Sequence, residues 1–292
     1  MRPEVAGLND LSMIFGDSLV GQEKFWCYYK NEFTFDGNDC VLKDLGFKLP
    51  VKEMELFHVP LRIYFAERKN YKINSVNGEV NIQIDGLEFT LPFPNGLFEL
   101  LEIFRDKCYA GFNINDRVVV DVGAFIGDSA LYFAKEGAKQ VIAFEPIPEL
   151  HALACKNVKK NNCTHRVEVR NCAVSDKYGT ETLNVNPYWP GVSSQVQKNK
   201  LTYASSVKSE PLDAIIAELN DVALLKMDCE GMEYVLIPYA HKENALSHVE
   251  QICLEVHGPP QPIVDVLKQA NFKVDYTRHE PNLLLRARKL GS

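Results

Sequence analysis

From Arg117 onward, short apolar runs alternate with amphipathic stretches. Val118-Val-Val-Asp-Val122 is apolar except for one acid, as expected of a strand covered on both faces. A helix over Asp128–Glu136, stopped by Gly137, is predicted next, then a strand over Gln140–Glu145. Leu150, Leu153, Ala154 and Val158 share one face of a predicted helix over Pro148–Asn161. A strand over Val167–Asn171 follows. Residues 173–209 are less regular, with a strand over Glu181–Val185 and a Pro- and aromatic-rich loop, Asn186–Gly191. Alternation then resumes: helix Leu212–Leu219, strand Val222–Met227, helix Met232–Tyr239, strand Gln251–Val256, helix Ile263–Ala270, and strands Phe272–Thr277 and Leu283–Ala287. The short turn between the last two makes them antiparallel neighbours.

The first ~110 residues read differently. Lys24-Phe-Trp-Cys-Tyr-Tyr29 is aromatic-dense and predicted helical. Apolar and polar residues alternate over Val80–Leu91 on both sides of Asp85-Gly86, a two-residue turn suited to positive φ, so a hairpin is predicted. Asn95 is a candidate N-cap for a helix carrying Leu97, Leu100, Leu101, Phe104 and Cys108 on one face. The expected organisation is an N-terminal α+β extension, 1–112, and a domain at 113–292. Regular strand–helix alternation makes that domain α/β, a doubly wound and mostly parallel sheet with right-handed crossovers. Ligands of such sheets sit beyond the carboxyl ends of the strands.

Composition narrows the class. Of 292 residues, 46% are hydrophobic and 24% charged, which is ordinary globular usage. The net charge of −7 disfavours nonspecific nucleic-acid binding, and no nucleic-acid partner is expected. Residues 1–115 carry −5 of it, so an acidic, aromatic-rich part faces either an acceptor or a second subunit of a homo-oligomer. The eight cysteines lack any C-x-x-C spacing and several sit in apolar runs, so buried free thiols in a reducing, cytoplasmic compartment are expected, and no metal site. No apolar stretch has membrane-span length, so no membrane partner is expected. Glu4, Asp10 and Asp17 leave no basic leader region at the N-terminus.

The strand ends carry the chemistry. After the first strand stands Asp121-Val-Gly-Ala-Phe-Ile-Gly-Asp-Ser129, whose glycines permit a tight turn into a helix N-terminus with free N–H groups. Its glycine spacing is neither that of a dinucleotide fingerprint nor that of a P-loop, which excludes an NAD oxidoreductase. Glu145-Pro146 follows the second strand. The Glu is either an acceptor for ribose hydroxyls or a cap for the next helix. After the third stand Asn171-Cys172-Ala173, small residues suited to a flat base or to a solvent turn. Lys226, Asp228 and Glu230 alternate after the fourth and share one side if the strand stays extended. Glu255 and His257 share a parity after the fifth. The His is either a general base or a structural hydrogen-bonding residue.

In this order, Asp121-x-Gly-Ala-x-x-Gly-Asp-Ser129, Ala143-Phe-Glu-Pro-x-Pro-Glu149, Asn157, Asn161-Asn162, Ala173-Val-Ser-Asp176, Lys226-x-Asp-x-Glu-Gly-x-Glu233 and Glu255-Val-His257 resemble the FkbM-type methyltransferases. The resemblance covers about 110–290 and leaves the first ~110 residues unexplained. Phe125 and Cys229 stand where Asn and a small apolar residue are common. The resemblance implies a class I, Rossmann-like methyltransferase fold with a seven-stranded sheet ending in an antiparallel hairpin, and S-adenosyl-L-methionine as cofactor.

It further implies that Asp121, Gly123 and Gly127, with Ala124, Asp128 and Ser129, shape the pocket for the cofactor's methionine end. Glu145, beside Pro146, would hold the ribose diol, and Ala173, with Cys172, would flank the adenine. Asp121 and Asp228 would face the cationic sulfonium. The expected reaction is in-line methyl transfer to a hydroxyl of a small molecule, sugar or glycan. His257 is the expected base, Asp228 or Glu230 the orienter or alternative base, and Lys226 the group that tunes them. An RNA (tRNA-type) methyltransferase and a non-catalytic cofactor-binding module are the competing readings. Asn186-Pro-Tyr-Trp189 is similar to the Asn-Pro-Pro-Tyr motif of enzymes that methylate base amino groups. That motif belongs after the fourth strand, where this chain has Asp228-Cys-Glu-Gly231. Tyr188 and Trp189 are instead candidates for a lid or acceptor platform.

Overall fold

The computed structural model describes residues 29–37, 39–50, 61, 64–77, 79–92, 94, 96–185, 203–279 and 282–291. The predicted helix at Lys24–Tyr29 (apart from Tyr29), the Asn95 cap, Cys27 and the Tyr188–Trp189 loop lie outside them. Residue contacts divide the chain into two units, Met1–Leu101 and Glu102–Ser292.

The first unit holds two antiparallel three-stranded meanders. One consists of β1 (Phe33–Asp36), β2 (Asp39–Leu42) and β3 (Phe47–Pro50), the other of β4 (Lys72–Val76), β5 (Glu79–Ile84) and β6 (Leu87–Leu91). The predicted hairpin is β5–β6. Ile84 pairs with Leu87, and Asp85 and Gly86 both have positive φ, 52° and 83°. The sequence pattern misses β1–β4, because four- or five-residue strands are too short to establish a period. Helix α1 (Gly96–Phe104) buries Leu97, Leu100, Leu101 and Phe104 of the predicted face and ends before Cys108, its fifth expected member. The division between the units falls within this helix, upstream of the expected boundary at 112.

The second unit is built on a seven-stranded sheet. Its chain order is β7 (Val118–Val122), α2 (Asp128–Lys135), β8 (Gln140–Phe144), α3 (Pro148–Lys160) and β9 (Val167–Arg170), then a side sheet of β10 (Ala173–Ser175), β11 (Gly179–Val185) and β12 (Tyr203–Pro211). There follow α4 (Leu212–Leu219), β13 (Val222–Met227), α5 (Glu233–Lys242), β14 (Val249–Val256), α6 (Gln261–Gln269), β15 (Phe272–His279) and β16 (Asn282–Lys289). The main sheet has the order β15-β16-β14-β13-β7-β8-β9. Five strands are parallel, and β15 and β16 close one edge as an antiparallel hairpin. The chain moves outward from β7 through β8 to β9 and then returns to β13 on the other side of β7, so the strand order reverses between β7 and β13.

Parity along the strands assigns the layers. Val120, Val122, Ile142, Phe144, Leu225, Met227, Ile252 and Leu254 pack with Leu212, Ile216, Leu236, Ile237, Ile263 and Leu267 of α4, α5 and α6. The intervening residues face the opposite way, and Asp121 takes the hydroxyl of Ser129 from α2. Burial on both faces is why these strands read as continuous apolar runs.

Two expectations are corrected. The stretch after β9 is a three-stranded sheet, and β12, absent from the sequence reading, pairs along β11 from Gly179↔Ser209 to Val185↔Tyr203. Tyr203-Ala-Ser-Ser-Val-Lys-Ser-Glu-Pro211 is weak as a strand by composition, and its partners decide its conformation. Helix α5 also runs through Pro238 to Lys242, past the predicted end at Tyr239. Burial of Leu236, Ile237 and Ala240 outweighs the one backbone bond that Pro forgoes.

The seven described cysteines are free thiols. Cys40, Cys172 and Cys253 are buried, whereas Cys108, Cys155, Cys163 and Cys229 are partly exposed. Among the described residues no helix is long and apolar enough to cross a membrane.

Candidate active site

The carboxyl ends of β7, β8, β13 and β14 bring four loops together. The β7–α2 loop contains three left-handed residues, Gly123 (φ 80°), Phe125 (φ 46°) and Gly127 (φ 79°). Gly127 lets the start of α2 lie on α3, where Ala154 atoms come within 3.4 Å of a would-be β-carbon. Phe125 occupies a conformation that Asn or Gly adopts more readily.

The loop's amides are used inside the protein. Gly123 and Ala124 both donate to the Phe144 carbonyl at 3.0 Å, and Gly127 donates to Ala124 at 2.6 Å. Phe125 donates to Glu145 Oε2 at 2.9 Å. The turn therefore spends these four amides on its own chain. It is a self-satisfied turn, further tied by buried Asn157 of α3, which donates to the Ile126 carbonyl at 2.9 Å.

Asp121, Asp128 and Ser129 are buried beneath this loop. Ser129 donates to Asp121 Oδ2 at 2.6 Å, and Asp128 accepts from the Ser129 amide at 2.9 Å. Burial raises the Asp128 carboxyl to about 7 against the pull of that amide. Lys226 lies with them, bonded to the Gly123 carbonyl at 2.8 Å and 3.2 Å from Asp121 Oδ1, with its ammonium 5.6 Å from the Tyr109 ring centroid. Burial opposes the Lys226 charge, but Asp121, then Asp228 and Asp128, outweigh it and hold its pKa above the ordinary lysine value. Asp121 has no exposed surface and faces Lys226, so its charge is compensated inside the protein.

Glu145 sits at the end of β8, also buried. One oxygen accepts from the Phe125 amide and the other from the Ile147 amide, each at 2.9 Å. Burial outweighs both bonds and raises its carboxyl to about 8. Asn171, at the end of β9, donates to the carbonyls of Glu145 (2.9 Å) and Pro146 (3.1 Å), fixing the two strand ends together. Cys172 and Ala173 follow immediately and are buried.

Beyond β13 the chain leaves the extended state. Glu230 has φ 53°, so the expected one-sided row of 226, 228 and 230 does not form. Lys226 turns into the interior. Asp228 and Glu230 converge instead on His257, which follows β14. Its Nε2 stands 3.7 Å from Asp228 Oδ1, 3.6 Å from Glu230 Oε2 and 3.8 Å from Glu255 Oε1. On the other side of the ring, Nδ1 lies 3.2 Å from Glu233 Oε1.

Glu233, the first residue of α5, is completely buried. It also accepts from the His257 amide at 2.8 Å and the Gly231 amide at 2.9 Å, and the Cys229 thiol donates to it at 3.7 Å. Burial works to raise its carboxyl, but the His257 bonds win and the net shift is downward. His257 is pulled the other way. Burial opposes its proton, yet Glu233, Asp228 and Glu230 raise its pKa to about 9. The imidazolium is thus the resting form at neutral pH. Burial raises Glu230 to about 7, with His257 opposing and Asp228 and Glu255 adding to the shift. Glu102 of α1 reaches about 8 through burial and then repulsion from Glu255 and Asp228.

The sequence reading gave Glu233 no role, although it lies in the quoted motif. An acid in the first turn of a helix is commonplace, and nothing local shows that its partner stands 24 residues on. Tyr109 and Glu102 were missed because they lie outside the strand–helix alternation.

The family model of the FkbM methyltransferase domain matches residues 121–276, more than half of the chain. Methyltransferase sdnD of Sordaria araneosa is 27% identical over 180 residues, covering 59% of this chain and 69% of that one. The AMB antimetabolite synthetase AmbE of Pseudomonas aeruginosa is 27% identical over 226 residues, 59% of this chain but 10% of its own length. Among solved structures, methyltransferase FkbM from Methylobacillus flagellatus has 15% identity and a TM-score of 0.43 and covers 92% of this chain and 60% of that one. TrmK of M. capricolum, in complex with S-adenosyl-homocysteine, has 11% identity and a TM-score of 0.40 and covers 66% and 68%. With its 121–276 segment spanning the glycine loop, Glu145, the acidic turn and His257, the chain belongs to the FkbM methyltransferase family.

Proposed function

We propose that this protein transfers a methyl group from S-adenosyl-L-methionine to a hydroxyl oxygen of a small molecule, sugar or glycan. One observation carries the reading: Glu145 follows β8 and the His257 cluster follows β13 and β14, so the two stand on either side of the glycine turn that follows β7. The residues suit the cofactor. Each Glu145 oxygen receives one amide and keeps a second lone pair for a ribose hydroxyl. Cys172 and Ala173, small residues at the end of β9, would flank a base. Asp228, Glu230 and Glu255 create a negative field that favours a sulfonium.

When bound, the cofactor supplies an activated methyl: its S–C bond breaks as the new O–C bond forms, and sulfur keeps the electron pair as a neutral thioether. The chain's own task is to orient the acceptor and take its hydroxyl proton. Glu230 is the better placed acceptor of that proton, because its pKa of about 7 is matched to neutral solution. His257 is already protonated at rest and serves to hold Asp228, Glu230 and Glu255 together. The proton-accepting role thus moves from His257 to the alternative named beside it.

The test is calorimetric titration with S-adenosylmethionine and, separately, with NAD, followed by transfer of a labelled methyl to a panel of hydroxyl compounds. Saturable binding of the former is expected, weakened about 10- to 100-fold in Glu145→Ala by loss of the acceptor for the ribose hydroxyls. Binding of NAD alone would sink the reading.

A further inference from the structure

We infer that Asp228, Glu255 and His257 form a site for a divalent cation of the Mg2+/Mn2+ class. One ligand atom from each residue lies within 4.8 Å of the others. The Nε2 distances to Asp228 and Glu255, 3.7 and 3.8 Å, are too long for hydrogen bonds. They fall between the two separations that ligands around one octahedral centre adopt. Ligands about 2.1 Å from a metal stand about 3 Å apart when adjacent and about 4.2 Å apart when opposite.

The second observation is the state of His257. Its side chain is only 7% exposed, and its Nδ1 is engaged by fully buried Glu233. That leaves Nε2 aimed at the carboxylates, 3.6 to 3.8 Å from each, and a bound cation would take the place of the Nε2 proton that these ion pairs otherwise hold. A carboxylate behind the far ring nitrogen is how proteins set the tautomer and angle of a metal-binding histidine. Glu233 holds the backbone of the same residue as well, through the His257 amide. The ring is therefore fixed in position as well as in tautomer.

The donor set selects the class of ion. Two carboxylates and one imidazole suit a hard or borderline divalent cation, which retains coordination positions for water or a substrate oxygen. Thiol-seeking ions are disfavoured, because Cys229 donates its proton to Glu233. A cation here would take an acceptor hydroxyl as a further ligand and lower its pKa, leaving Glu230 to receive the proton. That role rests on the methyl-transfer reading, whereas the binding itself does not.

The experiment uses the full chain, treated with chelator and then dialysed free of it, with Mn2+ alone as the probe and neither cofactor nor acceptor present. Free Mn2+ is followed by electron paramagnetic resonance. One saturable site is expected, weakened at least tenfold in Asp228→Asn and in Glu255→Gln. Glu233→Gln should weaken it about 10- to 100-fold without removing a ligand, as loss of an outer-shell partner does. Asp213→Asn, remote in α4, should not change it. Pulsed resonance of the wild-type complex should show one directly coordinated imidazole nitrogen, a readout that needs no variant to fold.

Absence of saturable binding, affinity unchanged in both carboxylate variants, or absence of the nitrogen coupling would overturn the site. Methyl transfer that proceeds undiminished in chelator, together with no nitrogen coupling, would reject the cation and keep the methyltransferase. A bound, nitrogen-coupled Mn2+ in a protein that binds no S-adenosylmethionine would support the site and reject the other reading.

Discussion

A β-carbon at Gly123 would stand 1.9 Å from the carbonyl oxygen of Asp228. The glycine turn and the acidic turn therefore touch backbone to backbone, and the Asp228 amide donates to the Val122 carbonyl at 3.0 Å. Any side chain at 123 must displace the Asp228 backbone or the glycine turn itself. Gly123→Ala is expected to combine this overlap with the strain of φ 80°. Each effect costs on the order of 1–3 kcal/mol. Gly86→Ala has a similar φ of 83° but nothing within 4 Å, and should lose only about 1–2 kcal/mol. Urea denaturation of the two variants makes the comparison, and equal losses would count against the close approach.

Lys226 compensates Asp121 in a buried pair. Lys226→Met should destabilise the protein by about 3–5 kcal/mol, since it leaves a charge without its partner. Adding Asp121→Asn should recover a large part of that loss while retaining an acceptor for Ser129. A double variant no more stable than the single one would mean that the Gly123 carbonyl, rather than Asp121, is what Lys226 serves.

Asn157 reaches from α3 to the Ile126 carbonyl. Asn157→Leu should cost about 1–3 kcal/mol by leaving that carbonyl without its donor. Cofactor affinity should fall as well, because the loop on which Glu145 closes loses an anchor. Thermal melts with and without S-adenosylmethionine read both effects, and unchanged affinity would separate the loop from the cofactor.

Glu102 sets a pH dependence. Its carboxyl is raised from 4.5 to about 8 in the fold. Between those values the native state holds a proton that the unfolded chain has released. The stabilisation is therefore full below about pH 4.5 and is lost as pH rises through about 8. Glu102→Gln should flatten this decline. The melting-temperature difference between wild type and variant, followed from pH 5 to 9, should change across that window, and a constant difference would show that Glu102 is ionised throughout.

Much of the second unit was legible in the sequence. Strands β7, β8 and β13 are buried on both faces, so their residues are apolar without alternation, and the switch to amphipathic helices marks their ends. Asp85-Gly86 was legible for a different reason, because few other residue pairs adopt two positive φ values in succession. Strand β12 was not legible. Its Ser, Lys and Glu positions take strand conformation only because β11 and β10 flank it.

The site divides in the same way. The positions of Asp121, Glu145, Asp228 and His257 at strand ends follow from local pattern plus the rule that such sheets bind ligands there. Their separate roles do not. Asp121 and Asp228 are both acids at the ends of adjacent parallel strands, yet one is sealed against Lys226 and the other faces His257. The difference is made by the direction of the chain after Met227 and by the left-handed turn at Glu230.

By itself, the sequence determined the alternation that makes the sheet, the tight turn at Gly123–Gly127 and which chemical groups reach the strand ends. These depend on periodicity and on backbone freedom, which are local properties. Only the tertiary structure decided which of those groups are charged, neutralised or aimed at one another. Charge state depends on burial and on neighbours distant in the chain, as when Glu233 and His257, 24 residues apart, fix one another's protons.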